Sequence, residues 1–248
     1  MKQIEVLTFG EFQSALDEAS GYMWRGMPDV SFELIPKVAR DWHLESGSLE
    51  ISERAMLEQF KVRAVPFLKS RPANDWEWLA LGQHYGLPSR FLDWTLNPLI
   101  ALYFACVGEM DCDGVVYFAG RANEVDPEKL KSPFDVDGPR AWHPFRTDQR
   151  ISFQDGLFTI MPDPQDKWSN QLRLQIIIKK EAKEPFLKML ELFGVHSGSV
   201  FPGLEGVAKY VSNKYFHFRG MKDKDSIIKR LKAAISADDE NFDDDVPD

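Results

Sequence analysis

The stretch Gln83-His84-Tyr85-Gly86-Leu87-Pro88-Ser89-Arg90-Phe91-Leu92-Asp93-Trp94-Thr95-Leu96-Asn97-Pro98 sets polar, turn-forming and charged residues between two apolar helical patterns. On its N-terminal side a helix starting near Asp75 carries Trp76, Leu79, Ala80 and Gln83 at helical spacing. On its C-terminal side Asn97 has the form of an N-cap, with Pro98 at the first helical position. Leu99, Ile100, Leu102, Tyr103 and Cys106 then make a nearly all-apolar helix, which predicts burial. Between the two, Gly86 and Pro88 set the backbone, and His84, Ser89, Arg90 and Asp93 place four groups able to catalyse or to bind an anion within ten residues. Such a composition builds a site more readily than a core.

Outward from this stretch the pattern mixes helices with a few strands. Thr8-Phe9-Gly10-Glu11 has the form of a capping box and precedes Phe12, Ala15, Leu16 and Ala19, predicting a helix to about Ser20 that Gly21 ends. Tyr22-Met23-Trp24 reads as a short buried strand with Arg25-Gly26 at its end, where glycine lets backbone approach a ligand. Ile51, Ala55, Phe60, Ala64, Phe67 and Leu68 predict a second helix, broken at Ser70-Arg71-Pro72. Gly114–Ala119 and Leu172–Ile178 are the clearest strands, and Phe158-Thr159-Ile160 is a weaker one. Glu184-Pro185 opens a helix through Leu192 that Gly194 terminates; Ala208, Val211 and Tyr215, then Ile227, Ile228 and Leu231, mark two more. No internal repeat or long linker interrupts the chain. The fold class expected is α+β: one domain over residues 1–237, with a small central mixed or antiparallel sheet surrounded by helices.

Composition narrows the functions. Within 248 residues no run of eighteen apolar residues occurs and Met1-Lys2-Gln3-Ile4-Glu5-Val6 lacks the blocks of a signal peptide, which predicts a cytoplasmic protein without a membrane partner. Cys106 and Cys112 are too few for a disulfide framework or a cysteine metal site, and five scattered histidines predict no metal. The net charge is −9, but seven acidic residues crowd into Asp238–Asp248, read as a disordered acidic tail. The rest of the chain holds 30 basic residues against 32 acidic ones, the 39 less these seven, and can still carry a local basic patch. P-loop, Rossmann, nucleophile-elbow and zincin spacings do not occur.

Four blocks carry a resemblance. Trp24-Arg25-Gly26, the run from Gln83 to Ala105, the block Arg150-Ile151-Ser152-Phe153-Gln154-Asp155-Gly156-Leu157-Phe158-Thr159, and Ser199–Ala208 with Glu205 resemble the FRG domain family, named for its aromatic-Arg-Gly motif. The motif-bearing core spans about residues 20–215. Trp24 stands where the family name implies phenylalanine, and Glu205 where the resemblance implies aspartate. Arg25, Ser89 or Thr95, and Glu205 also follow an order that looks like the Arg…Ser/Thr…Glu arrangement of ADP-ribosyltransferase-like enzymes. That likeness implies NAD as substrate, a carboxylate stabilising the charge that develops on ribose, and a setting in bacterial defence or a toxin system. Against it, the Ser/Thr and Glu neighbourhoods both read as helix starts rather than strands.

The residues give the same candidates with alternatives. Arg25 and Gly26 suit a phosphate or carboxylate, or Arg25 pairs with a structural carboxylate. His84 is a candidate acid or base, Glu205 a candidate catalytic carboxylate or a helix-start charge. Ser89, Thr95 and Gln154 can donate to a ligand or satisfy local backbone, and Arg90 with Asp93 can bind an anion or brace each other. An enzyme acting on a nucleotide or dinucleotide, with a protein or nucleic-acid acceptor, competes with a nucleotide or nucleic-acid binding module. The latter would use Arg25, Arg90, Arg146 and Arg150 for phosphate and Trp94, Trp142 or Tyr85 for stacking. An interaction domain without chemistry is the third reading.

Overall fold

The computed structural model describes residues 1–19, 22–40, 47–144, 154–169 and 171–217. Seven strands make one mixed sheet: β1 (Lys2–Val6), β2 (Met23–Met27), β3 (Leu92–Thr95), β4 (Gly114–Ala119), β5 (Arg140–Trp142), β6 (Gly156–Ile160) and β7 (Leu172–Ile178). Their spatial order is β1-β7-β4-β2-β3-β6-β5; β1 runs parallel to β7 and every other neighbour is antiparallel. Around the sheet lie α1 (Phe9–Asp17), α2 (Lys37–Arg40), α3 (Leu49–Ala64), α4 (Asp75–His84), α5 (Pro98–Cys106), α6 (Lys180–Leu192), α7 (Ser197–Val200) and α8 (Leu204–His217). The expected α+β class with a mixed central sheet is the one observed. Among the described residues no helix is long and apolar enough to cross a membrane.

β4 is buried along its whole length, because both faces of the sheet are covered there. Its Val116 and Phe118 join Ile176 and Ile178 of β7 under α1, α5 and α6, while Val115, Tyr117 and Ala119 join Met23, Leu92, Trp94 and Trp168 on the opposite face. A third core, with Trp76, Leu79, Phe91, Trp142 and Phe158, packs α3 and α4 against β5 and β6.

Local signals account for much of this. Thr8 and Glu11 form the capping box of α1: Glu11 N–H donates to Thr8 Oγ1 at 3.2 Å and Thr8 N–H to Glu11 Oε2 at 3.0 Å. Asn97 Oδ1 accepts from Leu99 N–H at 2.9 Å and Pro98 opens α5, which is buried as its composition demands. This helix lies directly on the sheet where two glycines permit it. A Cβ on Gly26 would stand 1.7 Å from the Ala101 carbonyl oxygen, and one on Gly114 2.2 Å from that of Ala105.

Other elements depart from the sequence reading. Leu92–Thr95 is a strand, not a loop before a helix: it pairs with β6 from Leu92↔Thr159 to Thr95↔Gly156, sending Leu92 and Trp94 to one face and Asp93 and Thr95 to the other. β2 continues to Met27, so Arg25 sits in mid-strand rather than at a strand end. β1 and the three-residue β5 were not anticipated; β1 is held by pairing with β7, and β5 by pairing with β6 and a bridge from Ala141 to Glu124, which local propensity does not encode. α6 begins at Lys180, so Pro185 lies inside the helix and not at its start. Gly194, at φ +78°, ends that helix as expected. Gly21, the residues Arg146 and Arg150–Phe153, the helix around Ile227–Leu231 and the acidic tail at 238–248 fall outside the described residues.

Candidate functional site

A cleft of about 380 Å³ opens where β2 and β3 part. These two strands share a single register pair, Trp24↔Thr95. Extending that register would set Gly26 opposite Asp93, yet Gly26 pairs only with Val116 of β4. The gap is filled by Arg25. Its Nη1 donates to the Asp93 carbonyl at 2.5 Å and stands 3.7 Å from Asp93 Oδ2. Burial pushes the guanidinium pKa down; the Asp93 charge opposes that shift, and the neighbouring positive charge of Arg40 adds to it. Arg25 Nε is buried and has no hydrogen-bond partner among the described residues, so the group retains donor capacity beyond its contact with Asp93.

Asp93 is held from a second direction. Ser89 Oγ donates to Gln83 Oε1, and Gln83 Nε2 donates to Asp93 Oδ1 at 2.6 Å. The amide of Gln83 is thereby oriented by what each of its ends meets. Thr95, two residues on and facing the same side, donates through Oγ1 to the Gln154 carbonyl at 2.6 Å and accepts from Asn97 N–H at 3.0 Å. Gln154 Nε2 in turn donates to the Val200 carbonyl at 3.0 Å, tying the turn before β6 to the end of α7.

The rest of the lining divides by chemistry. Three cations line the cleft: Lys37 and Arg40, one turn apart on α2, and Arg25, whose charge Arg40 feels. Lys37 Nζ donates to the Gly86 carbonyl at 3.2 Å, and both residues are exposed. The lining also includes apolar and aromatic residues, Trp24, Phe91, Trp94, Ile100, Phe104 and Phe158, of which Phe104 is the most exposed. His84, the last residue of α4, lines the cleft with its ring at right angles to Tyr85, 4.8 Å between centroids. Lys37 and Arg40 went unnoticed in the sequence; their only signal there is a pair of cations three apart after Pro36, which describes many surface turns.

Several expected site residues are placed elsewhere. Arg90 is 2% exposed and bonded to Glu53, with its backbone N–H donating to Oε1 at 2.8 Å and Nε to Oε2 at 2.9 Å, beneath the ring of Phe134. It does not brace Asp93: it sits at a bend before β3, and its guanidinium is taken inward by Glu53. Burial raises the Glu53 pKa, although the Arg90 charge and hydrogen bonds pull the other way. Ser89 is wholly buried and reaches the cleft only through Gln83. Gly26 lines the cleft, but its missing side chain makes room for α5 rather than for a ligand. Glu205 is exposed in the first turn of α8 and is not part of the lining. Trp94 and Trp142 are each 3% exposed and unavailable for stacking on an open groove, whereas Tyr85 is exposed.

The family model of the FRG domain matches residues 20–113, which include Trp24-Arg25-Gly26 and the whole of Gln83 to Ala105. Residues 20–113 thus carry an FRG domain, contributing Arg25, Lys37, Arg40, Gln83, His84, Asp93 and Thr95 to the cleft. Gln154 and Glu205 lie beyond the matched residues. No curated protein and no solved structure matches the chain.

Proposed function

We propose that the cleft binds a nucleotide, with NAD as the substrate and cleavage of its nicotinamide–ribose bond as the reaction. The observation that carries this reading is the convergence of Arg25, Lys37 and Arg40 on one concave cleft whose lining also holds aromatic rings. Three cations beside one carboxylate favour a ligand with at least two negative charges, which a pyrophosphate supplies. Phe104, partly exposed in the lining, offers flat apolar surface to a base or nicotinamide ring. The volume is of the size that holds a small ligand. Breaking the glycosidic bond develops positive charge on ribose, which a carboxylate at hand stabilises. His84 at the cleft is suited to take a proton from the acceptor, be it water or a protein or nucleic-acid group. An enzyme that spends NAD in this way fits the defence or toxin setting that the resemblance implies.

The test is incubation of the purified chain with NAD, nicotinamide release being followed by chromatography and NAD binding by calorimetry. Binding with release is expected. Arg25→Ala should weaken NAD binding by about 10- to 100-fold, the cost of one charge-assisted phosphate contact. Arg40→Ala should cost less and flatten the salt dependence. Binding without release would favour a nucleotide-binding module without catalysis, and absence of binding would sink both readings.

A further inference from the structure

We infer that Asp93 is the carboxylate that acts on the ribose, in place of Glu205. This rests on the nucleotide reading above. Asp93 is the only aspartate or glutamate among the described residues that line the cleft. Its side chain is 63% exposed while its backbone is fixed in β3, so the carboxylate projects from a rigid strand into the open space. Gln83 Nε2 holds Oδ1 at 2.6 Å, and Arg25 donates to the backbone carbonyl of the same residue at 2.5 Å. Arg25 Nη1 pairs with Oδ2 only at 3.7 Å, an ionic contact longer than a good hydrogen bond, so among the described residues this oxygen retains acceptor capacity for a ligand. The carboxylate is oriented without being used up, as a group that meets developing charge must be.

The arrangement also sets the direction of the ligand. Phosphates drawn to Lys37 and Arg40 would leave the ribose at Asp93, which shares its face of β3 with Thr95, and the leaving ring near Phe104. The bond between ribose C1′ and the nicotinamide nitrogen breaks, and its electron pair leaves with nicotinamide and neutralises the ring's positive charge. C1′ is left with oxocarbenium charge facing the Asp93 carboxylate. Water adds at C1′ and its proton passes by way of His84 to solvent, giving ADP-ribose, nicotinamide and one proton from NAD and water.

The experiment compares nicotinamide release and NAD affinity in the wild type, Asp93→Asn, Asp93→Ala with and without added formate, and Glu205→Gln. Asp93→Asn, which keeps the shape and a contact for Gln83, should lower release by about 100-fold or more with NAD affinity within about threefold of wild type. Formate should restore part of the rate to Asp93→Ala, an outcome that a purely structural role for Asp93 would not produce. The inference is overturned if Asp93→Asn keeps its rate, if it loses NAD binding along with the rate, if formate restores nothing, or if Glu205→Gln abolishes release while Asp93→Asn does not. A wild type that binds NAD but releases no nicotinamide overturns this inference and leaves the binding site standing; a wild type that binds no NAD overturns both.

Discussion

Replacing Glu53 by Met should be rescued, in part, by also replacing Arg90 by Met. The two side chains are each 1% exposed and bonded through two N–H groups of Arg90, one from the backbone and one from the guanidinium. Glu53→Met strands a buried guanidinium, which costs about 3–5 kcal/mol, and leaves the Arg90 backbone N–H without an acceptor, about 1–3 kcal/mol more. Arg90→Met is milder. Burial already holds the Glu53 pKa up, so the orphaned carboxyl is readily protonated, and it keeps the backbone bond. In the double variant both buried charges are gone and the stranded N–H remains, a cost of about 1–3 kcal/mol. The double variant should therefore be more stable than Glu53→Met alone, by about 3 kcal/mol. Guanidinium unfolding followed by tryptophan fluorescence measures this, with Trp76 stacked on Phe91 in the adjoining core as reporter. A double variant no more stable than Glu53→Met would refute the reasoning. Arg90→Met should also bind nucleotide as the wild type does, since Arg90 lies outside the cleft lining.

Other perturbations have equally definite outcomes. Gly26→Ala should lose about 3 kcal/mol of stability or more, because its Cβ meets backbone atoms of Ala101 and Ala105 that cannot rotate away; a variant that unfolds at the wild-type denaturant concentration would contradict this. The Glu11 carboxylate accepts the Leu7 and Thr8 N–H groups, which lowers its pKa below the ordinary 4.5. Its contribution is thus present above about pH 4.5 and fades as pH falls through the folded-state value, so the melting-temperature gap between wild type and Glu11→Gln should close in acid. A gap that stays constant would exclude that origin. The Cys106 thiol is buried and its pKa is pushed up to about 12, whereas Cys112 is partly exposed. A thiol reagent at mildly alkaline pH should label Cys112 in the folded protein and Cys106 only after denaturation, as mass spectrometry of the labelled peptides would show.

Much of the scaffold was legible where one short window held the whole cause. The capping box at Thr8 and Glu11, the Asn97-Pro98 start of α5, the apolar runs of β4 and β7 and the stop at Gly194 each depend on neighbours within a few residues. Elements that owe their existence to a distant partner were missed or shifted. β1 exists because β7 pairs with it across most of the chain, β5 because β6 does, and β3 because β6 gives four residues a ladder. The resemblance carried by Trp24-Arg25-Gly26 and Gln83–Ala105 agrees with the family match over residues 20–113.

The site divides along the same line. Sequence alone determined which residue types were available: Arg25 beside a glycine, and His84, Ser89, Arg90, Asp93 and Thr95 within one polar stretch bounded by helices. Tertiary structure alone decided their partners. It sent Arg90 inward to Glu53, brought Asp93 to Arg25 and Gln83, turned Gly26 into a seat for α5, added Lys37 and Arg40 from a separate turn and left Glu205 outside the lining. The physical reason is the alternation of side chains along extended backbone. One residue of shift reverses the face on which a charge stands, and what fixes the shift is pairing with a strand far away in the chain.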